Sequence, residues 1–346
     1  MKRFTKLFMV LALVFSLVFS LAACGGGGEE AAAPDAPAFA ERSWKIGHVR
    51  PQGTSTDVDV IAFVEDLNEA TEGNLTVEVY PASQLGNYTV VQERVGMGDI
   101  EMQLAPAGTS VDKAMGLASA PYLCATWDEA REMFKKGSKL TNATEEMFAE
   151  QGIKLLAGYP KYFGGIALAV EPESPGDATV DKGIKIRVPA IKSYELTAGS
   201  LGFIATPIAY SEAFTSMQTG IVDGVIGSGA EGYYASFRDL TKYYLPVNDH
   251  FEIWWLQMSM DVWNELSAEE QEAVMAAAEK MEMDRWAVAE DETAEFMKGL
   301  ADNGTVIYDF TDEELAGFAE KVRAEVWPEI KDEYGAELFD EITGAK

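Results

Sequence analysis

Trp44-Lys-Ile-Gly-His-Val49 opens a stretch that decides the fold. It alternates like a strand. Asp57 to Glu72 follows, with Val60, Ile61, Val64 and Leu67 at helical spacing, and Gly73-Asn74 stops that helix. Leu75-Thr-Val-Glu-Val-Tyr80 alternates again. Tyr88 to Gly96 reads as a helix and Ile100 to Ala105 as a third strand. This β-α-β-α-β order predicts an α/β lobe with a largely parallel sheet.

The pattern repeats further along. Ile153–Ala157 and Gly165–Val170 read as strands, with a surface turn at Glu171-Pro-Glu-Ser-Pro-Gly176. Ile184–Val188 is a strand, followed by a helix to Leu201. Glu212–Thr219 is helical and Ile221–Ile226 returns as a strand. Ser267-Ala-Glu-Glu270 fits a capping box for a helix that runs to about Leu300. Val306–Phe310 reads as a last strand, and Thr311-Asp-Glu-Glu314 caps another helix. No internal repeat is evident.

The amino terminus has a different character. Lys2, Arg3 and Lys6 precede an apolar run, Phe8 to Leu21, which ends in Leu21-Ala-Ala-Cys24. A charged start, a short apolar middle and a small-residue cleavage site make a secretory signal over residues 1–23. The run is short for a membrane span of ~20 residues. Leu-Ala-Ala-Cys resembles the bacterial lipobox, which implies lipidation at Cys24. Gly25–Gly28 and the Ala/Pro/Glu stretch beyond read as a flexible tether over residues 24–42. The rest of the chain is therefore expected to be extracytoplasmic and lipid-anchored to the cell membrane.

The formal net charge is −30, and the signal removes three positive charges and no acids. So acidic a surface excludes nucleic acid as a partner, because that binding is dominated by Lys and Arg contacts to phosphate. It also means that an anionic ligand must find a locally positive cleft. A hydrophobic content of 47% with 11% aromatics supports a sizeable core, and the length suffices for two lobes. With Cys24 lipidated, Cys124 stands alone in the apolar Pro121-Tyr-Leu-Cys-Ala125 and reads as a core residue.

Catalytic chemistry finds no purchase. His48 and His250 are the only histidines and lie far apart. There is no H-E-x-x-H, no C-x-x-C, no P-loop and no G-x-S-x-G. Gly96-Met-Gly98 lacks the third glycine of a dinucleotide loop, where Glu101 stands. Asp57 and Asp59 begin like a calcium loop, but Ile61 occupies its fifth position. No catalytic residue, metal ligand or cofactor is expected, and the chain reads as a binding protein.

Two segments sharpen that reading. One is Leu75-Thr-Val-Glu-Val-Tyr-Pro-Ala-Ser-Gln-Leu-Gly86 with Val95-Gly-Met-Gly-Asp-Ile-Glu-Met102. The other is Gly183-Ile-Lys-Ile-Arg-Val-Pro189, then Thr206-Pro-Ile-Ala-Tyr-Ser-Glu-Ala-Phe214 and Met217-Gln-Thr-Gly-Ile-Val-Asp-Gly224. In this order, with His250 and Val262-Trp-Asn-Glu-Leu266, they resemble the solute-binding proteins of TRAP transporters, the DctP-like family. The resemblance runs from Trp44 to the last helix. It implies a two-lobe, periplasmic-binding-protein-like (type II-like) fold with a long helix linking both lobes. Residues 43–164 plus about 253–292 would form lobe I, and 165–252 plus about 293–346 lobe II. It also implies a small organic acid as ligand, and the small and large integral-membrane components of the importer as partners.

In that family the arginine of the K-I-R strand grips the ligand's carboxylate; here it is Arg187. A planar guanidinium suits this role because it makes two parallel charge-assisted hydrogen bonds. Tyr210 holds the aromatic position of the P-x-x-aromatic-S-E segment, and Asn87 follows the Q-L-G turn. The departures are informative. Many acid-binding members carry a second arginine about twenty residues before the first, whereas this chain reads Tyr162-Phe-Gly-Gly-Ile-Ala167. A Glu-Trp pair that supports a metal-assisted site in one subgroup is replaced by Ile226-Gly227-Ser228. Gly227 opens space, and Tyr162, Tyr233, Tyr234, Trp254 and Trp255 are candidate walls for an aromatic or otherwise bulky monocarboxylate. An ABC-importer receptor and a tethered cell-wall hydrolase or sugar-binding module are the alternatives.

Overall fold

A computed structural model describes residues 39–344. The signal peptide, Cys24 and most of the proposed tether lie outside the described residues. Arg42, the last residue assigned to the tether, opens the first strand. Its guanidinium meets Glu270, Nε to Oε1 at 3.0 Å, and the Ala40 amide donates to the same oxygen.

Two mixed sheets carry the fold. The first contains β1 (Arg42–His48), β2 (Leu75–Tyr80), β3 (Met102–Ala105), β4 (Ile153–Phe163) and a late strand, β10 (Phe251–Ser259), in the order β2-β1-β3-β10-β4. The second contains β5 (Ile166–Leu168), β6 (Lys185–Val188), β7 (Ile204–Pro207), β8 (Gly224–Ile226), β9 (Tyr243–Leu245) and β11 (Val306–Ile307), in the order β11-β9-β5-β8-β6-β7.

The three strands from which a largely parallel sheet is expected do pair in parallel, but both sheets as a whole are mixed. β1 pairs in parallel with β2 and β3, but β10 runs antiparallel to both β3 and β4. β5 is likewise antiparallel to β8 and β9. The physical reason is the route of the chain. It leaves the first sheet after Phe163, enters the second at Ile166, and returns from Leu245 to Phe251, so the returning strand slots in reversed. Phe-Glu-Ile-Trp-Trp-Leu-Gln-Met-Ser is buried throughout, so it shows no period-2 alternation for sequence reading to catch.

Local capping agrees with the sequence. Ser267 and Thr311 both form complete capping boxes, with Glu270 and Glu314 answering them. The first box starts a helix of 35 residues, Ala268–Asp302. Its Val274, Ala277, Ala278 and Met281 pack with Trp44, Ile46 and Leu256 of the first sheet. Its far end buries Leu300 against Ala167, Val225 and Tyr244 of the second. One helix thus bridges both sheets, and the architecture is the two-lobe α/β fold. No helix among the described residues is long and apolar enough to cross a membrane.

Candidate functional site

The parallel strands of both sheets point their carboxyl ends at a small cavity of about 30 Å³. Such ends are the general ligand position of open α/β sheets. Arg50 follows β1, Pro106 follows β3, Arg187 lies on β6, Pro189 and Ile191 follow it, and Gly227 follows β8. Tyr88, Tyr194 and Tyr210 enter from the first turns of the helices Tyr88–Gly96, Lys192–Ser200 and Tyr210–Gln218. Glu252 and Trp254 enter from the same face of β10, two residues apart.

Arg187 is 1% exposed. Its Nε donates to the Ile208 carbonyl at 2.8 Å and its Nη1 to the Ile226 carbonyl at 3.4 Å. The Tyr210 ring lies 5.6 Å from its Cζ. No carboxylate among the described residues stands within ion-pair distance of it. Burial lowers its pKa from the usual arginine value, against partial support from Tyr88 and Tyr210. A buried guanidinium held only by neutral carbonyls keeps its charge uncompensated, and such a group can accept an anion.

A second guanidinium faces it across Tyr210. Arg50 donates from Nη1 to the Tyr210 hydroxyl at 2.5 Å, and from Nη2 to Tyr162 Oη at 3.3 Å and the Ser228 carbonyl at 3.0 Å. Its Cζ lies 5.0 Å from the Trp254 ring centroid. Burial opposes its charge, but Tyr210 and Glu231 hold its pKa above the usual value.

A third group borders the cavity at the return crossover. Glu252 accepts from Trp254 Nε1 at 2.7 Å and from Tyr194 Oη at 3.2 Å. His250 bridges Glu252 at 3.0 Å and Asp249 at 2.6 Å. Burial alone would lower the pKa of His250, but the two carboxylates push it up to about 10. His250 is therefore an imidazolium at neutral pH, and Glu252 is paired with it.

Four of the eight sequence-predicted ligand residues meet at the cavity: Arg187, Tyr210, Gly227 and Trp254. Tyr162 and Ser228 stand behind it, both bonded to Arg50. Asn87 does not line it; it sits at the N-cap of the helix that begins at Tyr88, its Nδ2 bonded to Thr89 Oγ1 at 2.7 Å, and Tyr88 takes the wall position. Trp255 points away, because neighbouring strand residues face opposite sides, and it packs with Val91, Phe163 and Ile253. Of the other candidate walls, Tyr233 is buried with its hydroxyl on the Gly165 and Val225 carbonyls, and Tyr234 packs on Phe296.

Sequence reading singled out Arg187 and missed another arginine at the cavity. Arg50 supplies a second one from the other end of the chain. Its signal in the sequence was a charged residue just past a predicted strand end, which carries little weight in isolation. Among the described residues no group of three or more His, Cys, Asp or Glu is placed to hold a metal ion.

Comparison with known proteins places this geometry in context. The family model of the bacterial extracellular solute-binding proteins, family 7 (DctP), matches residues 46–333. A solute-binding protein of Roseobacter denitrificans is 27% identical over 253 residues, 72% of this chain and 76% of that protein. The C4-dicarboxylate-binding periplasmic protein DctP of Rhodobacter capsulatus is 24% identical over 307 residues, 87% of this chain and 90% of its own. Among solved structures, the sugar-acid-binding protein of Advenella mimigardefordensis in complex with galactonate aligns with a TM-score of 0.82. The two are 20% identical, and the alignment covers 89% of this chain and 98% of that one.

Proposed function

The chain belongs to family 7 of the bacterial extracellular solute-binding proteins, the TRAP-type receptors, and on that premise we propose that it captures a small organic acid between its lobes and delivers it to the membrane subunits of a secondary importer. The observation that carries the ligand class is Arg187, buried in the cavity wall without a carboxylate partner. Val49, Pro106, Pro189, Ile191 and the aromatic rings of Tyr88, Tyr194, Tyr210 and Trp254 favour a ligand with a bulky or aromatic body behind its carboxylate. Charge pairing inside such a dehydrated site counts for more than in water. The ligands named for these relatives, a C4-dicarboxylate and galactonate, are organic acids too. A family 7 assignment also favours a TRAP importer over an ABC importer.

Binding is by side chains alone, without metal and without covalent chemistry. A cavity of about 30 Å³ is large enough for water and too small for such an acid. Entry therefore requires the lobes to part. The proposed bodies are residues 43–164 plus about 253–292 and residues 165–252 plus about 293–346. The hinges are Gly164-Gly165, the return crossover 246–250 and the long helix. The ligand favours closure because only the closed form brings Arg187, Tyr88 and Trp254 around it together.

Cys24 carries the lipid that keeps this receptor at the membrane. Replacing it with Ser leaves the precursor unprocessed or sheds the protein, and mass spectrometry of a mature start elsewhere overturns the anchor.

A thermal-shift screen against organic acids, with calorimetry on the hits, tests the ligand class. A ligand at a hundred times its dissociation constant adds ~2.7 kcal/mol of stability. Small-angle scattering should show compaction with that ligand, unchanged by chelator. The reading fails if no acid shifts the transition.

A further inference from the structure

The second guanidinium of the cavity already has a carboxylate, and that carboxylate belongs to the protein. Arg50 Nε lies 3.3 Å from Glu231 Oε2, and Lys161 Nζ lies 2.5 Å from the same oxygen. Thr56 Oγ1 donates to Glu231 Oε1 at 2.8 Å, and Lys161 Nζ also reaches Thr56 at 2.6 Å. All of these groups are buried. Arg50, Thr56 and Lys161 stand with the first sheet, after β1, in the helix Ser55–Ala70 and on β4. Glu231 comes from the second sheet, on the turn Gly229–Gly232 that follows β8. Its approach is possible because Gly232 has no side chain: a Cβ there would lie 2.8 Å from Arg50 Nη2. Against the cost of burial, Lys161 and Arg50 hold the Glu231 carboxyl well below the usual range, so it is an anion throughout the physiological range.

On the premise that Arg187 receives the ligand's carboxylate, we propose that Glu231 determines specificity by charge: it fills from within the protein the cationic site that a second ligand carboxylate would need, so the receptor takes acids with one carboxylate and rejects their dicarboxylate counterparts. The charged side chains lining the cavity are Arg50, Arg187 and Glu252. Arg50 and Lys161 share the single charge of Glu231, and Asp249 and Glu252 share that of His250, so these two groups offset each other and the net positive charge left at the cavity is that of Arg187. A monoanion balances it. A dianion would place its second carboxylate beside Glu231 and Glu252 in a dehydrated site, where like charges repel strongly and neither can be resolvated.

Matched acids test this directly. Galactonate and galactarate share a carbon skeleton and differ by one terminal carboxylate, and butyrate and succinate form a smaller pair of the same kind. Calorimetry measures the monoacid-to-diacid affinity ratio for each pair. Wild type should favour the monoacid. Glu231→Gln should move the ratio toward the diacid by roughly tenfold or more, as expected when one partner of a buried charge pair is exchanged. Glu231→Asp, which keeps the charge, should not. Because Glu231→Gln leaves Arg50 and Lys161 unopposed and risks misfolding, the double variant Lys161→Met/Glu231→Gln removes one charge of each sign and still frees Arg50. It should show the same shift. A wild type that binds both members of a pair equally, or a ratio unmoved in both variants, overturns the role of Glu231. If Arg187→Ala binds the monoacids as wild type does, the carboxylate reading itself has failed and takes this proposal with it.

Discussion

Replacing Arg187 with Met separates a binding residue from a structural one, because the two roles predict opposite signs for stability. In the folded protein the guanidinium is buried, its Nε on the Ile208 carbonyl and its Nη1 on the Ile226 carbonyl, with no carboxylate nearby. Burying an ion costs several kcal/mol even after relaxation, and neutral partners recover only part of it. Met has similar length and no charge. The substitution leaves two carbonyls short of a donor, at ~1 kcal/mol each. It also removes the larger desolvation cost. The net expectation is an unfolding free energy equal to wild type or higher by up to ~2 kcal/mol. Binding moves the other way. Losing a charge-assisted clamp costs ~2–5 kcal/mol, or roughly thirty-fold to several-thousand-fold in affinity. Lys should rescue poorly, because it lacks the planar fork. Urea denaturation followed by tryptophan fluorescence reads the first quantity and calorimetry with the best acid the second. A variant that loses more than ~3 kcal/mol of stability while keeping its affinity would show that Arg187 is architecture, and would refute the reasoning.

Other perturbations are as specific. Gly229→Ala should destabilise by ~3 kcal/mol or more, because φ is +58° and a Cβ would lie 2.2 Å from the Tyr162 ring; a urea midpoint like that of wild type would contradict this contact. His250 has a folded pKa near 10, above its unfolded value near 6.5, so its stabilisation is fully present below pH 6.5 and is lost as pH rises through 10. The difference in unfolding free energy between wild type and His250→Gln should therefore shrink across that window, and a difference constant from pH 6 to 10.5 would argue against the bridge to Asp249 and Glu252. Cys124 is buried and its thiol is pushed up to about 12 by burial. In a Cys24→Ser background it should resist a disulfide reagent in the native state and react at once in urea; rapid native labelling would contradict its burial.

Much of the fold was legible in the chain itself. Leu75–Tyr80 and Tyr88–Gly96 have the same ends in the structure as the sequence predicts, because alternation and helical spacing are local properties that read burial on one face directly. The two capping boxes were legible for the same reason, since each is closed within four residues. β10 was not, because a strand buried on both faces carries no period, and its antiparallel insertion depends on where the chain re-enters the sheet. Arg187 and Tyr210, singled out through their motifs, both line the cavity, one from β6 and the other from the first turn of a helix.

What only the tertiary structure decided is which charges meet. Arg50, Lys161 and Glu231 are separated by 111 and 70 positions along the chain, yet two lobes bring them within ion-pair distance. No local pattern marks them, since among so many acids and strand-end cations each looks like surface. The chain by itself determined the strands and helices whose patterns are local, such as Leu75–Tyr80 and Tyr88–Gly96, and which arginine carries the family's motif, because those depend on neighbours in sequence. Packing decided that one guanidinium is compensated and the other is left open, because the energy of a buried charge depends on its partners in space.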